Sequence, residues 1–213
     1  MGVLIPDYRY DSVPMFLVDF GCVEHGEAYV LRSGRSSDVY VNLRGIPSHP
    51  ASMRYMARHI KSSIEEKFNH VEIGFLAASG AAVPLAALAS AEYLDVPFVW
   101  VRSDVKDHGD RRRVEWYGRD LGGGIIFDDV LTSGSSIEYT NDALQEVGLH
   151  STRALVVVDR RLSKDRKRVA GLITRSMCTM GDLLKIERNH DTRGNGRFRV
   201  GEMPPQTALP RVL

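Results

Sequence analysis

In the stretch GIIFDDVLTSGSS, Gly124 to Ser136, two carboxylates stand at the end of an apolar run, and small hydroxylated residues around a glycine follow them. The two halves suit different ligand groups. Asp128 and Asp129 repel phosphate, yet they accept hydrogen bonds from vicinal sugar hydroxyls and can hold Mg²⁺ through water. The loop after them invites an anion. A helix starting near Ser135 or Ser136, either of which could cap it, leaves backbone N–H groups aimed at a phosphate. Gly134 lets the loop turn tightly and the phosphate approach the backbone, and Thr132, Ser133, Ser135 and Ser136 add hydroxyl donors. A sugar with a phosphate at one end and a free diol on its ring fits the whole motif. An acid pair alone reads more readily as a solvated turn with a helix cap. The order of strand, acids, glycine and hydroxyls reverses that balance. No Lys follows the glycine, so this is not a Walker loop, and the spacing is not the dinucleotide GxGxxG pattern.

Elements that would position the motif are legible on both sides of it. EIGFLAA, PFVWVRS, GIIFDD and TRALVVVDR are short apolar runs that read as strands. Between them lie helical patterns: Pro50 to Phe68, with Met53, Met56, Ile60, Ile64 and Phe68 on one stripe; AAVPLAALASAEYL, with Pro84 tolerable only in its first turn; and SSIEYTNDALQEVG, stopping at Gly148. Apolar strands alternating with helices predict an α/β fold with a mostly parallel central sheet flanked by helices. Upstream, VPMFLVDFGCVEHG reads as a short helix, and EAYVLRSGRSSDVYVNLR as two strands around a turn. A polar, charge-rich interval, DVKDHGDRRRVEWYGRDLG, separates the second and third strands, and such long connections are usually functional or disordered. The tail from Asn189 onward reads as loop.

Composition narrows the partners. The 213 residues suit one sizeable core, and the formal net charge of +1 implies no nucleic-acid surface. No apolar run reaches membrane-spanning length. The two cysteines, Cys22 and Cys178, lack metal spacing and are too few for a disulfide framework, so a cytoplasmic location is expected.

IIFDDVLTSGSS resembles the phosphoribosyl pyrophosphate (PRPP) motif of type I phosphoribosyltransferases. Within that group the chain resembles the orotate phosphoribosyltransferases. LRSGRSSDVYVNLR resembles their N-terminal substrate segment, AASGAAVPLAA their pyrophosphate loop, VRSDVKDHG their catalytic loop, and ALVVVDRR with MGDLL their fourth strand and C-terminal region. The resemblance implies a single domain over 1–213, with a core at about 48–160 and a small hood built from about 1–47 and part of 161–213. It also implies Mg²⁺-dependent transfer of the phosphoribosyl group of PRPP to orotate, giving orotidine 5′-monophosphate and pyrophosphate in pyrimidine biosynthesis. Transfer to another nucleobase, or a PRPP-sensing regulatory protein, are the alternative readings.

Carried onto this sequence, the resemblance assigns PRPP binding to Arg102, Lys106, His108 and the run Asp128, Asp129, Val130, Leu131, Thr132, Ser133, Gly134, Ser135 and Ser136. Lys106, His108, Asp128 and Asp129 are the implied catalytic groups. Orotate falls to Arg32, Tyr40, Val41, Thr132 and Arg160. Magnesium is held through PRPP and water, with Asp128 and Asp129 as candidate ligands. The loop 102–118 is expected to be donated in trans within a homodimer. Taken by themselves, Arg160 and Arg161 read as caps on a strand end, and Tyr40 and Val41 read equally well as core. The chain departs from the family pattern at Ser103, where a second basic residue is usual. Ala81 and Ala82 also depart, replacing residues often glycine, and DRRLSKDRK lacks the acid that often follows the fourth-strand Arg.

Overall fold

The computed structural model describes residues 10, 12–30, 36–69, 72–103, 112–161 and 168–193. The chain opens with α1 (Val13–Asp19) and the strands β1 (Val23–Val30) and β2 (Ser36–Val41). There follow α2 (Pro50–Lys67), β3 (Phe75–Ser79), α3 (Val83–Ala89), β4 (Phe98–Val101) and β5 (Val114–Glu115). The second half comprises β6 (Gly123–Leu131), α4 (Ser135–Glu146), β7 (His150–Asp159), β8 (Arg168–Val169), β9 (Leu172–Thr179) and α5 (Met180–Arg193).

Seven strands form the central sheet in the order β5-β4-β3-β6-β7-β9-β8. The five inner strands are parallel, and the two-residue edge strands β5 and β8 run antiparallel to their neighbours. Such short edges offer little backbone for pairing with another chain. β6 and β7 are apolar at successive positions because helices cover both faces of the sheet. Ile125, Phe127, Leu155 and Val157 join the core beneath α1, α2 and α3. Their neighbours Ile126, Ala154 and Val156 join the core beneath α4. The two-residue period of a strand thus feeds two cores from one continuous apolar run.

The α2 stripe is buried as expected: Met56, Ile60, Ile64 and Phe68 all face the first core, with Met53 packed at its margin. Pro84 sits in the first turn of α3, where its missing N–H costs nothing. Two expectations are corrected and one unforeseen strand is added. The helix expected over 13–26 stops at Asp19, and Val23 and Glu24 instead pair with Val41 and Tyr40 in the antiparallel β1–β2 ribbon. Cross-strand pairing outcompetes the local helical pattern there. Leu172–Thr179, not singled out in the sequence, is the fifth parallel strand, β9. α5 continues to Arg193, so 189–193 are helical rather than loop, while 194–213 lie outside the described residues.

β1 and β2 form a separate sheet, joined to α5 by a His25–Glu187 contact of 3.0 Å. Val13, Phe16 and Leu17 of α1 share the first core with Leu183 of α5, so early and late segments close over the same apolar interior. No helix among the described residues is long and apolar enough to cross a membrane.

Candidate active site

The acid pair occupies a position created by unequal strand lengths. β3 pairs with β6 only as far as Ala78 opposite Phe127, then turns away after Ser79. β6 continues to Leu131, still paired with β7, so Asp128 and Asp129 lie within the strand rather than after it. From Asp128 onward the β3 side of β6 is open. A crevice at the carboxyl ends of parallel strands, where a neighbour peels away, is where ligands bind in open α/β sheets. Here it forms a cleft of about 640 Å³ lined by residues of β6, α4, the β3–α3 loop, the β2 strand and its exit.

Asp128 is 8% exposed and Asp129 half-buried. The N–H of Asp129 donates to Asp128 Oδ1 at 3.0 Å, and the N–H of Val130 donates to Asp129 Oδ1 at 2.8 Å. Each carboxylate is thus oriented by backbone through one oxygen. Oδ2 of Asp129 has no hydrogen-bond partner among the described residues. Two oriented carboxylates beside a cleft can accept from a diol. They also fit Mg²⁺, which is commonly bound by one or two carboxylates together with substrate phosphates. Among the described residues there is no group of three or more His, Cys, Asp or Glu that could hold a metal by itself.

Beyond the acids, Val130, Thr132, Gly134, Ser135 and Ser136 line the cleft, whereas Leu131 is buried in the second core. Gly134, not a serine, is the helix N-cap, and it makes no side-chain cap. Its φ of +93° is accessible to glycine and strained for other residues. The first N–H bonded within α4 is that of Glu138, to Gly134 O at 3.0 Å. Ser133 lies outside the cleft lining. Its Oγ contacts Ser135 Oγ at 3.2 Å and accepts from Ser135 N at 3.3 Å, bracing the turn. A built Cβ at Gly134 would collide with Val169 Cγ1 of β8, so the glycine answers to packing as well as to φ.

Facing this turn, Ser79, Gly80 and Ala81 form the opposite wall. Gly80 has φ +56°, and the short 3₁₀ turn Gly80–Ala82 leads into α3. Ala82 is right-handed at φ −74°, and Ala81 has no positive φ. The departure at Ala81 and Ala82 therefore carries no backbone strain, because the one residue that needs glycine has it. Thr140 Oγ1 lies 2.8 Å from Ser136 O and 3.0 Å from Ser79 Oγ, tying the first turns of α4 to this wall.

The third wall comes from β2 and its exit. Tyr40 lines the cleft with its ring stacked on Tyr29, centroids 5.3 Å apart. Val41 lines it too, though only 3% exposed, so it serves the core and the cleft together. Asn42 and Arg44 were not singled out from VYVNLR, yet both line the cleft. Asn42 Nδ2 donates to Glu24 Oε1 at 2.9 Å, and Arg44 N donates to Asn42 Oδ1 at 3.1 Å.

The structure separates the two arginines that the sequence left equivalent. Arg161 closes on Asp159, with Nε to Oδ1 at 2.9 Å and Nη2 to Oδ2 at 2.6 Å, and so serves the strand end. Arg160 lines the cleft. Its N–H donates to Leu131 O at 2.9 Å, and Nη2 donates to Val39 O at 2.8 Å and Ser37 Oγ at 3.2 Å. Nε and Nη1 have no partner among the described residues. Burial lowers the pKa of this guanidinium, with Tyr40 acting in the opposite direction, but it remains a cation.

Arg102 is not among the lining residues. Its Nη2 pairs with Glu115 Oε1 at 2.8 Å on the edge strand β5, while Ser103 and Tyr139 do line the cleft. Tyr139 gave no signal beyond its helical position. Arg32, Lys106 and His108 lie outside the described residues.

No family model matches the chain. Curated relatives do. The chain is 32% identical over 188 residues to an orotate phosphoribosyltransferase of Pyrobaculum calidifontis, covering 86% of this chain and 94% of the relative. It is 35% identical over 162 residues to the uridine 5′-monophosphate synthase of Bos taurus, covering 74% of this chain but only 33% of that longer protein. Among solved structures, the orotate phosphoribosyltransferase of Aeropyrum pernix superposes with a TM-score of 0.64 at 25% identity, covering 81% of this chain and 96% of the other. By sequence and by fold, the chain belongs to the type I phosphoribosyltransferases, within the orotate phosphoribosyltransferase family.

Proposed function

We infer that this cleft transfers the phosphoribosyl group of PRPP to orotate, releasing pyrophosphate and giving orotidine 5′-monophosphate. The observation that carries this reading is the crevice where β3 ends and β6 runs on. It gathers the acid pair, the Thr132–Ser136 turn, Ser79–Ala81 and Arg160 around one cavity of ligand size. The 5′-phosphate seats on the N-terminal turn of α4, against Thr132, Ser135 and Ser136. Asp128 and Asp129 accept from the ribose hydroxyls. The pyrophosphate lies toward Ser79, Gly80 and Ala81. Orotate lies against Tyr40 and Val41, with its carboxylate toward the unpartnered donors of Arg160, since a planar guanidinium suits a planar carboxylate.

The bond between the anomeric carbon and the pyrophosphate oxygen breaks, a bond from that carbon to a ring nitrogen of orotate forms, and the proton of that ring N–H leaves to the departing pyrophosphate or to water. Positive charge builds on the ribose and negative charge on the leaving group. Asp128 and Asp129, beside the ribose, stabilise the first. Lys106 and His108, brought by the 102–118 segment, neutralise the second, and Arg32 adds a cation near the base. Oriented charge of this kind is commonly the largest catalytic contribution. With Asp128 and Asp129 as its candidate holders, Mg²⁺ would supply further positive charge to offset the negative charge building on the leaving group. The working unit in this reading is a cytoplasmic homodimer in which each subunit lends its 102–118 segment to the other. Burial of both thiols, Cys22 and Cys178, suits a reducing compartment.

The test is a spectrophotometric assay with PRPP and Mg²⁺, offering orotate beside uracil, adenine, guanine and xanthine. Consumption of orotate alone supports the reading. Preference for another base moves the chain within the transferase family, and PRPP binding without turnover of any base assigns it to sensing.

A further inference from the structure

One cation of the cleft has no task in the reading above. The charged side chains lining it, among the described residues, are those of Asp128, Asp129, Arg44 and Arg160. Nη2 of Arg160 is held by the β2 ribbon, and its remaining donors are taken up by the carboxylate of the base. Arg102 pairs with Glu115 outside the lining, and Ser103, which does line the cleft, is uncharged. The wall of Ser79, Gly80 and Ala81 offers backbone and one hydroxyl but no charge. Arg44 is exposed, and its side chain has no hydrogen-bond or ion-pair partner among the described residues. Its backbone, by contrast, is fixed from both sides. The N–H of Arg44 donates to Asn42 Oδ1 at 3.1 Å, and Asn42 Nδ2 donates to Glu24 Oε1 on β1 at 2.9 Å. Leu43 is buried in the first core, which also holds Ala78 and Ala82, and its carbonyl accepts from Ile46 N at 3.0 Å. Ser48 N then donates to Gly45 O at 3.2 Å. A chain position locked in this way, with a free guanidinium at a cleft wall, is preorganised to meet an anion.

We propose that Arg44 binds the pyrophosphate of PRPP, as the cation that each subunit supplies to its own site from the exit of β2. The proposal rests on the PRPP reading above. PRPP brings more negative charge than the α4 turn can take. The 5′-phosphate occupies the backbone donors of that turn, and the acid pair beside the ribose repels the phosphates that remain. Those phosphates need a cation, and Arg44 is the lining cation not otherwise engaged among the described residues. Its planar fork matches phosphate oxygens two at a time. The charge that position 103 lacks as a serine is thereby provided from a different element of the fold.

Arg44→Gln removes the charge and keeps a polar side chain. The residue is exposed, so the melting temperature should hold. Calorimetry with PRPP and with ribose 5-phosphate, Mg²⁺ present in both, is set beside the KM for orotate at saturating PRPP. Ribose 5-phosphate engages the turn and the acid pair, whereas PRPP also carries the pyrophosphate. Loss of a charge-assisted pair should lower PRPP affinity about tenfold or more, while ribose 5-phosphate affinity and the KM for orotate stay within about twofold of wild type. Arg44→Lys, which keeps the charge and loses the fork, should recover part of the loss. Equal weakening of both sugar phosphates, a raised KM for orotate with PRPP affinity unchanged, or no change in any of the three overturns the proposal. A wild-type protein that binds neither sugar phosphate overturns the PRPP reading instead, and that control tells the two failures apart.

Discussion

Gly134→Ala probes the turn most directly, because the structure gives two separate reasons for it to fail. The first is conformational: φ is +93°, and an L side chain in left-handed space costs about 1–2 kcal/mol. The second is steric: the new methyl collides with Val169 Cγ1, and overpacking of this kind costs about 1–3 kcal/mol. A destabilisation of about 2–5 kcal/mol is therefore expected, read from the midpoint of urea denaturation at constant slope. Val169→Ala separates the two. It opens the space the methyl needs but leaves φ unchanged. The double variant should be more stable than the sum of the singles by about 1–3 kcal/mol, the part owed to the collision. Ribose 5-phosphate binding, lost in Gly134→Ala, should partly return in the double variant, because the backbone donors of Ser135 and Ser136 can regain their places. Additive singles, within about 0.5 kcal/mol, would refute the collision and leave Gly134 answerable to φ or to the ligand alone.

Asp128→Asn and Asp129→Asn keep an acceptor for the N–H groups of Asp129 and Val130, so melting temperature should hold while kcat/KM for PRPP falls about tenfold or more, as for lost charge-assisted bonds. Two fully active variants would reduce the pair to a solvated bend. Lys106→Ala mixed with Asp129→Asn should restore activity if segments are exchanged between subunits. With random exchange roughly half the dimers are mixed and about a quarter of all sites recover, whereas no recovery despite demonstrated exchange assigns the segment to its own subunit's site. The thiols give a pH dependence. Burial pushes Cys22 and Cys178 from 9.0 up to about 12, so only the unfolded chain ionises first as pH rises. Stability is intact below pH 9 and declines from 9 toward about 12, and replacing both cysteines by alanine should flatten that decline in a pH series of denaturation curves. An unchanged slope would show that other groups cause it.

The central sheet was legible because β3, β4, β6 and β7 carry apolar residues at consecutive positions, a pattern that survives without tertiary information. β9 was not, because LITRSMCT mixes Thr, Arg and Ser among its apolar residues: Arg175 and Ser176 are partly exposed while Leu172, Thr174 and Cys178 are buried. The two-residue edges β5 and β8 have no pattern of their own and exist only through pairing with Trp100–Val101 and with Leu172–Ile173. At the site, Asp128, Asp129 and the glycine turn were readable as a local string. Asn42, Arg44 and Tyr139 were not, because each meets the cleft through the fold rather than through its neighbours in sequence. Arg160 and Arg161 show the limit best. Nothing in DRR tells them apart, and the difference lies in Asp159, which captures Arg161, and in Leu131 and Val39, which hold Arg160 at the cleft.

Those partners also bear on how the proposed base side relates to the phosphate side. The phosphate turn, the acid pair and the Ser79–Ala81 wall are all carried by β3, β6 and the helices that follow them, bound into one sheet by the pairs from Phe75–Gly124 to Ala78–Phe127. The side proposed for the base is built differently. Tyr40 and Val41 belong to the separate β1–β2 ribbon, and Arg160 reaches that ribbon through Val39 O and Ser37 Oγ across more than a hundred residues of chain. On the proposed reading the ribose and its 5′-phosphate sit on residues carried by the sheet, whereas a carboxylated ring meets the sheet and the ribbon together. On that reading, changes in the ribbon should alter which base is accepted while leaving the 5′-phosphate turn intact. The reverse does not hold, because a displaced β6 end carries Arg160 with it through the Leu131 carbonyl.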